Sequence, residues 1–310
     1  MPVLAAVLLA AQGCGGPLPP PDPPNLAEAK DSLSRGNYWF GRGCYREAGR
    51  FFKEGEISAR LSDEVGLIIR ALNSQGAAAL AGGGLDQAAN FLAQALDLAQ
   101  AQPGQPELDR ILGNLAALAQ RLGRSEDAGD LWRAAVQAAA GAGVSPATYQ
   151  ASLARLHLAA GRPEKFLALA DQALAAARVA AAKADLTAPE NLALADALNL
   201  AGQAALLRED PAGAEQFFRE ALALDRQMEY TPGLAQDTEA LGDLLTTLDR
   251  LEEAVGFLDR AFYLRLALND TRGAARVLAG LKKLGASVNL EGYQAALKNP
   301  APYRLDQRCP

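Results

Sequence analysis

The chain has 310 residues and a formal net charge of −6; 50% of its residues are hydrophobic, but only 6% are aromatic and 21% charged. Ala and Leu dominate, an alphabet that favours helices and is poor in the residues strands prefer, so a β-sandwich or barrel is excluded. The acidic balance argues against nucleic acid as a partner. With one histidine and three cysteines there is little material for a metal site or a hydrolytic triad, so neither catalysis nor a cofactor is expected.

Val3 to Ala11 is an uninterrupted apolar run. It is shorter than the roughly 20 residues a membrane-spanning helix takes but matches the apolar core of a secretory signal. Ala11-Gln12-Gly13-Cys14 follows, and then a proline-rich stretch from Pro17 to Pro24. This resembles a bacterial lipoprotein signal, with Ala11 standing where such signals usually carry Leu. The resemblance implies that residues 1–13 are a signal peptide and that Cys14 is lipidated and becomes the mature N-terminus. It also implies a membrane-anchored protein facing the periplasm, with the outer membrane favoured because Gly15, and not Asp, follows the cysteine. Residues 14–25 read as a Pro/Gly-rich linker, extended at about 3.1 Å per residue. Without a signal in residues 1–13 the protein would be cytosolic.

From Asn25 onward one pattern recurs. Asn25-Leu26-Ala27-Glu28 reads as a capping box opening the first helix. Blocks at 36–55, 76–95, 116–135, 154–173, 202–221 and 242–261 then share one register. A Gly or Ala in a first helix is followed by a tight turn, a small residue in a second helix and a bulky one four later. The small positions are Ala48, Ala88, Ala128, Phe166 (the exception), Ala214 and Ala254, about 40 residues apart. In the fourth block the order is inverted, with Phe166 at the small position and Ala170 at the bulky one, a swap that conserves volume.

The register resembles the tetratricopeptide repeat (TPR) family, over roughly residues 29 to 284. The resemblance predicts an all-α, right-handed α-solenoid of about six TPR-like helix pairs with a C-terminal capping helix. Its period near 40 exceeds the family's usual length by nearly two helical turns. The solenoid is assigned to residues 26–286 and a C-terminal cap and tail to 287–310. Helix starts are expected at Ser145-Pro146, Thr187 to Glu190 and Asp210-Pro211. Gly82-Gly83-Gly84 reads as the turn between paired helices, since no Lys-Ser/Thr follows it as in a phosphate loop. A helix from Thr271 to Leu284 and a short one near Leu290 to Lys298 are expected to cover the last open face. His157 reads as a packing or hydrogen-bonded ring. Cys44 and Cys309 sit at opposite ends of an extended array, beyond the about 7 Å a disulfide tolerates, so two free thiols are expected.

In the TPR family the first helices of successive repeats line a concave groove that takes an extended peptide or a partner helix. Carrying the register along gives Lys30, Asn37, Arg70, Asn73, Arg110, Asn114, Arg121 and Arg155 as lining candidates in the first four repeats. In the last two the equivalents are Asp196, Asn199, Gln203, Gln236, Glu239 and Asp243. The groove thus runs from basic to acidic. Arg presents a planar fork suited to carboxylates, so the basic end is expected to dock an acidic or carboxyl-terminal segment of a protein partner. The expected function is a non-catalytic scaffold or assembly factor, lipid-anchored in the bacterial envelope. The alternative is an accessory or substrate-presenting subunit of an envelope polysaccharide or peptidoglycan enzyme. A glycan would need stacked aromatics, whereas Trp39, Trp132 and Tyr149 read as packing residues.

Overall fold

The computed structural model describes residues 21–185, 189–285, 290–304 and Cys309; Cys14 and the apolar run before it lie outside them. Among the described residues there are α-helices, one 3-10 turn and no strand. Twelve helices form six successive pairs: α1 (Pro24–Gly41) with α2 (Tyr45–Leu61), α3 (Val65–Ala81) with α4 (Leu85–Gln100), and α5 (Leu108–Arg121) with α6 (Ser125–Gly141). Then come α7 (Ala147–Ala159) with α8 (Pro163–Ala181), α9 (Pro189–Leu207) with α10 (Pro211–Gln227), and α11 (Thr231–Thr247) with α12 (Leu251–Ala267). α13 (Thr271–Lys283) and α14 (Leu290–Lys298) follow, covering the face that α12 leaves open. The fold is a TPR-like α-solenoid.

The repeated residues do what their register implies. Ala48, Ala88, Ala128, Ala214 and Ala254 are fully buried. One turn on, Phe52, Leu92, Phe218 and Leu258 press into a glycine on the paired helix. A Cβ on Gly36 or Gly202 would overlap the ring of Phe52 or Phe218; one on Gly76 or Gly242 would sit 2.7 Å and 2.6 Å from Leu92 and Leu258. Each such side chain, removed from water, contributes about 1.5–3 kcal/mol. In the fourth pair Phe166 and Ala170 are both fully buried in one cluster with Ala154, so the inverted order fills the same space.

The first helix starts earlier than the capping pattern at Asn25 implies. α1 begins at Pro24, with Pro23 as its cap residue and no side-chain cap. Proline at the first helical position has its φ preset and no N–H to satisfy, so the helix starts ahead of Asn25 and no capping box forms. Asp210, by contrast, caps α10 by accepting from the Gly213 amide at 2.9 Å. The tight turn Gly82-Gly83-Gly84 passes through a left-handed residue, Gly83 at φ +87°, which glycine adopts without strain.

α1 packs on α3, α3 on α5, α7 on α9 and α9 on α11, so the odd-numbered helices crowd together on the inner, concave face. The curvature this imposes brings the two ends of the solenoid together. Cys44, in the α1–α2 turn, forms a disulfide with Cys309, with their Cα atoms 5.8 Å apart across 265 residues of sequence. In the same turn Arg42 reaches Glu229, between α10 and α11, at 3.4 Å. The two thiols are therefore not free. Small rotations between repeats add up along a solenoid, and here they return the tail to the first pair. On the way the tail is held by Tyr293, which meets Phe262 edge to face and donates to Asp259 at 2.7 Å, and by Tyr303 against Tyr263.

Glycines of equal helix propensity should thus respond in opposite ways. Gly202→Ala is expected to lose about 1–3 kcal/mol by overpacking against Phe218. Gly256→Ala, with nothing within 4 Å of its Cβ, should gain up to about 1 kcal/mol. Urea denaturation of the two variants checks this.

Candidate functional site on the concave face

The inner helices are tied together by polar contacts, one step per repeat. Asn114 Nδ2 donates to Asn73 Oδ1 at 2.8 Å, joining α5 to α3. Tyr149 donates to Asp109 at 2.7 Å, joining α7 to α5. Both nitrogens at the end of the Arg155 guanidinium engage Asp196, joining α7 to α9. Asn199 donates to Asp237 at 2.7 Å and accepts from Gln236 at 2.8 Å, joining α9 to α11, while Gln203 also donates to Asn199. Arg276 on α13 pairs with Glu239 on α11, which Arg265 grips as well. The face is thus a ladder of satisfied hydrogen bonds, with two places where it opens.

At the amino-terminal end the expected basic residues are largely matched from within. Glu107, which precedes α5 with a left-handed backbone at φ +60°, holds Arg70 at 2.8 Å and Arg110 at 3.3 Å through its two oxygens. The two arginines thus converge on one carboxylate, which belongs to the chain itself. Lys30 pairs with Asp22. Arg121 is exposed and borders an apolar recess of about 320 Å³ lined by Phe40, Ala77, Leu80, Ala81 and Ala117, with Asn114 at its edge.

The second opening lies at the seam between the fifth and sixth pairs. A cavity of about 250 Å³ has Asp196, Asp225, Asp237, Asn199, Gln236 and Tyr230 among its lining residues. Asp225 and Asp237 are 3% and 1% exposed. Asp225 Oδ1 and Asp237 Oδ2 are buried without a hydrogen-bond partner. Asp225 lies so close over the first turn of α11 that a Cβ on Gly233 would overlap its carboxylate. Burial raises both acids, Asp225 to about 7 and Asp237 to about 8; the hydrogen bond between the two carboxyls lowers Asp225 and raises Asp237, the charge of Asp225 adds to the rise at Asp237, and Asp196 raises each further.

The solitary His157 is partly buried in a recess with Arg133, Arg162 and Glu126. Its Nδ1 has no partner, and burial together with nearby Lys165 and Arg162 lowers its pKa. Trp132 is buried and tilted against Tyr149, so both are packing residues. Among the described residues no group of three His, Cys, Asp or Glu side chains is placed to hold a metal ion, and no helix is long and apolar enough to cross a membrane.

No protein-family model and no curated protein sequence matches the chain. Solved structures do. Aspartyl phosphate phosphatase F from Bacillus subtilis superposes with a TM-score of 0.61 at 15% identity, over 91% of this chain and 72% of that one. The Rap conjugation gene regulator of plasmid pLS20, in complex with the Phr* peptide, gives 0.61 at 17% over 92% and 76%. BtubC (BKLC) from P. vanneervenii gives 0.51 at 20% over 79% and 91%. The likeness is one of fold.

The acidic seam sets a pH response. An unfolded aspartate titrates near 3.9, and a carboxyl raised by folding contributes stability at low pH that is lost as pH rises through its folded value. The protein should therefore weaken between about pH 4 and pH 8. Asp237→Asn should flatten that decline and be more stable than wild type at pH 9 by about 1–3 kcal/mol. Thermal melts of both proteins from pH 5 to 9 measure it.

Proposed function

We propose that this protein is a non-catalytic interaction scaffold or assembly factor that binds a peptide or helical segment of a protein partner on its concave face. The observation that carries this reading is the face itself. Its inner helices are locked in place by the polar ladder, yet it keeps an apolar recess rimmed by Asn114 and Arg121. Such a surface is pre-organised, which lowers the cost of binding an extended segment. Two of the proteins it resembles in fold were solved as complexes: a Rap protein with the Competence and Sporulation Factor, at a TM-score of 0.56 and 14% identity, and the pLS20 regulator with the Phr* peptide.

The partner's acidic or carboxyl-terminal segment would engage the basic end, where Arg70 and Arg110 already grip one carboxylate and would exchange Glu107 for the ligand's. We further propose that the chain is lipidated at Cys14 and held in the bacterial envelope, facing the periplasm and favouring the outer membrane. The Cys44–Cys309 bridge favours this reading over a cytosolic one, since disulfides persist in oxidising compartments.

Cys14→Ser should move the protein from the membrane to the soluble fraction, with loss of acylated Cys14 in mass spectra; retention in the membrane would contradict the anchor. In-cell cross-linking and affinity capture test the groove. Ala117→Arg, which fills the recess, and the double reversal Arg70→Glu with Arg110→Glu should each lower partner recovery at least about tenfold with helicity unchanged. Undiminished recovery from both variants would overturn the concave face as the docking surface.

A further inference from the structure

The carboxyl pair at the seam breaks the rule its own repeats follow. Asp225 stands eleven residues after the small crossing position Ala214. The equivalents in the first four pairs are Ala59, Ala99, Ala139 and Ala177, all fully buried. Asp237 stands five residues before Gly242, where the second, third and fifth pairs have Ala71, Ile111 and Ala197, also fully buried; the first and fourth pairs have polar residues there, but Asp31 is exposed and Tyr149 half-buried and bonded to Asp109. At the second-to-third and fourth-to-fifth seams both positions pack as ordinary core, Ala99 with Ile111 and Ala177 with Ala197. The sixth pair also carries a charge at the first of them, Arg265, but there Glu239 and Asp270 neutralise it. Among the described residues only the fifth-to-sixth seam buries two acids against each other, with no donor for Asp225 Oδ1 and Asp237 Oδ2 but the proton the pair shares. Burying a polar group without a partner costs about 1–3 kcal/mol, and a local violation of this kind marks a functional position more often than a packing solution.

The cavity specifies what could meet those oxygens. Three carboxyls, Asp196, Asp225 and Asp237, line it. The cation beside them, Arg155, is committed to Asp196. The remaining groups facing the pair are neutral: Asn199 and Gln236 from α9 and α11 and Tyr230 at the start of α11, with Tyr45 of α2 beyond Tyr230. Leu192, Ala193, Ala195 and Pro232 form apolar walls. A carboxylate floor beneath apolar walls matches a cationic head on a hydrocarbon stem, and the space suits one such group.

We propose that the cavity at the α10–α11 seam binds an alkyl-ammonium or alkyl-guanidinium group against Asp225 and Asp237. The group comes from a lysine or arginine side chain of a segment lying on the concave face, or from a free aliphatic amine. This deepens the reading of that face as the ligand-binding surface and rests on it for the direction of approach. A cation that enters displaces the proton shared by the pair, so binding and proton release are linked.

The test uses the full chain and three probes: agmatine, an end-capped pentapeptide with a central lysine flanked by glycines, and the same peptide with norleucine in place of the lysine. Binding is followed by calorimetry at several pH values in buffers of different ionisation enthalpy. At least one cationic probe should bind, with its affinity rising about tenfold between pH 6 and pH 8 and protons released to the buffer. The norleucine peptide should bind at least tenfold more weakly. Asp225→Asn with Asp237→Asn should weaken the cation at least tenfold and remove the pH response. Agmatine alone binding assigns the site to a free amine, and peptide binding assigns it to a side chain; both uphold the proposal. Absence of cation binding, equal binding of norleucine, or a pH-independent affinity would overturn it. If the double variant does not fold, the wild-type pH and norleucine comparisons still decide. None of these probes depends on partner capture, so failure here and failure of the scaffold reading are told apart.

Discussion

The close crossing of paired helices is the contact from which the rest of this structure follows. A glycine on the first helix admits a ring or leucine from the second, as Gly36 admits Phe52 and Gly202 admits Phe218, and alanines such as Ala48 and Ala214 let the backbones approach. Close-packed interiors leave little freedom once such a contact is fixed. Repeating it at nearly constant spacing fixes how each pair presents its odd-numbered helix, so those helices gather on one side and the array bends toward them. The concave face, the polar ladder along it and the meeting of the α1–α2 turn with the C-terminal tail all follow from that bend.

Along this face the chain satisfies its charges unevenly. At the amino-terminal end Glu107 gathers Arg70 and Arg110, and in the middle Asp196 takes Arg155. These pairs are partly exposed, and exposed pairs contribute little stability, about 0–1 kcal/mol; their weight lies in holding side chains in place and in remaining exchangeable. At the seam between α10 and α11 the opposite holds. Asp225 and Asp237 are deeply buried and face each other with no donor but the proton they share, and the four earlier pairs have a buried alanine at the Asp225 position. For stability alone, apolar residues at these two positions would serve as well or better.

The repeats, the turns and the two terminal helices were legible in the sequence because each depends on contacts between residues a few turns apart. The inverted fourth block was legible for the same reason, since Phe166 and Ala170 conserve volume between them. Asn25 misled because the capping pattern competes with Pro24, whose ring sets the helix start one residue earlier. The disulfide was hidden because it depends on rotation summed over the whole solenoid, which no single repeat encodes. Glu107 was hidden because its reach depends on a left-handed backbone in a loop. Asp225 was read over because it lies on a second helix, where a charge ordinarily faces solvent. The register held the missing signal: in the four earlier pairs that position is alanine, so an aspartate there is out of pattern without any structure. Of the groove candidates, Asn73, Asn114, Arg155, Asp196, Asn199 and Gln236 do share the inner face, but the spacing that placed them could not show that they bond chiefly to each other.

The closure of the solenoid on itself is the most direct measure of whether this geometry is right. Cells expressing the full-length protein would be treated with a membrane-permeant alkylating agent before lysis, and the protein digested and mapped without reduction. The account predicts a linked peptide joining Cys44 to Cys309, with neither residue alkylated. Recovery of both cysteines as alkylated single peptides would contradict it.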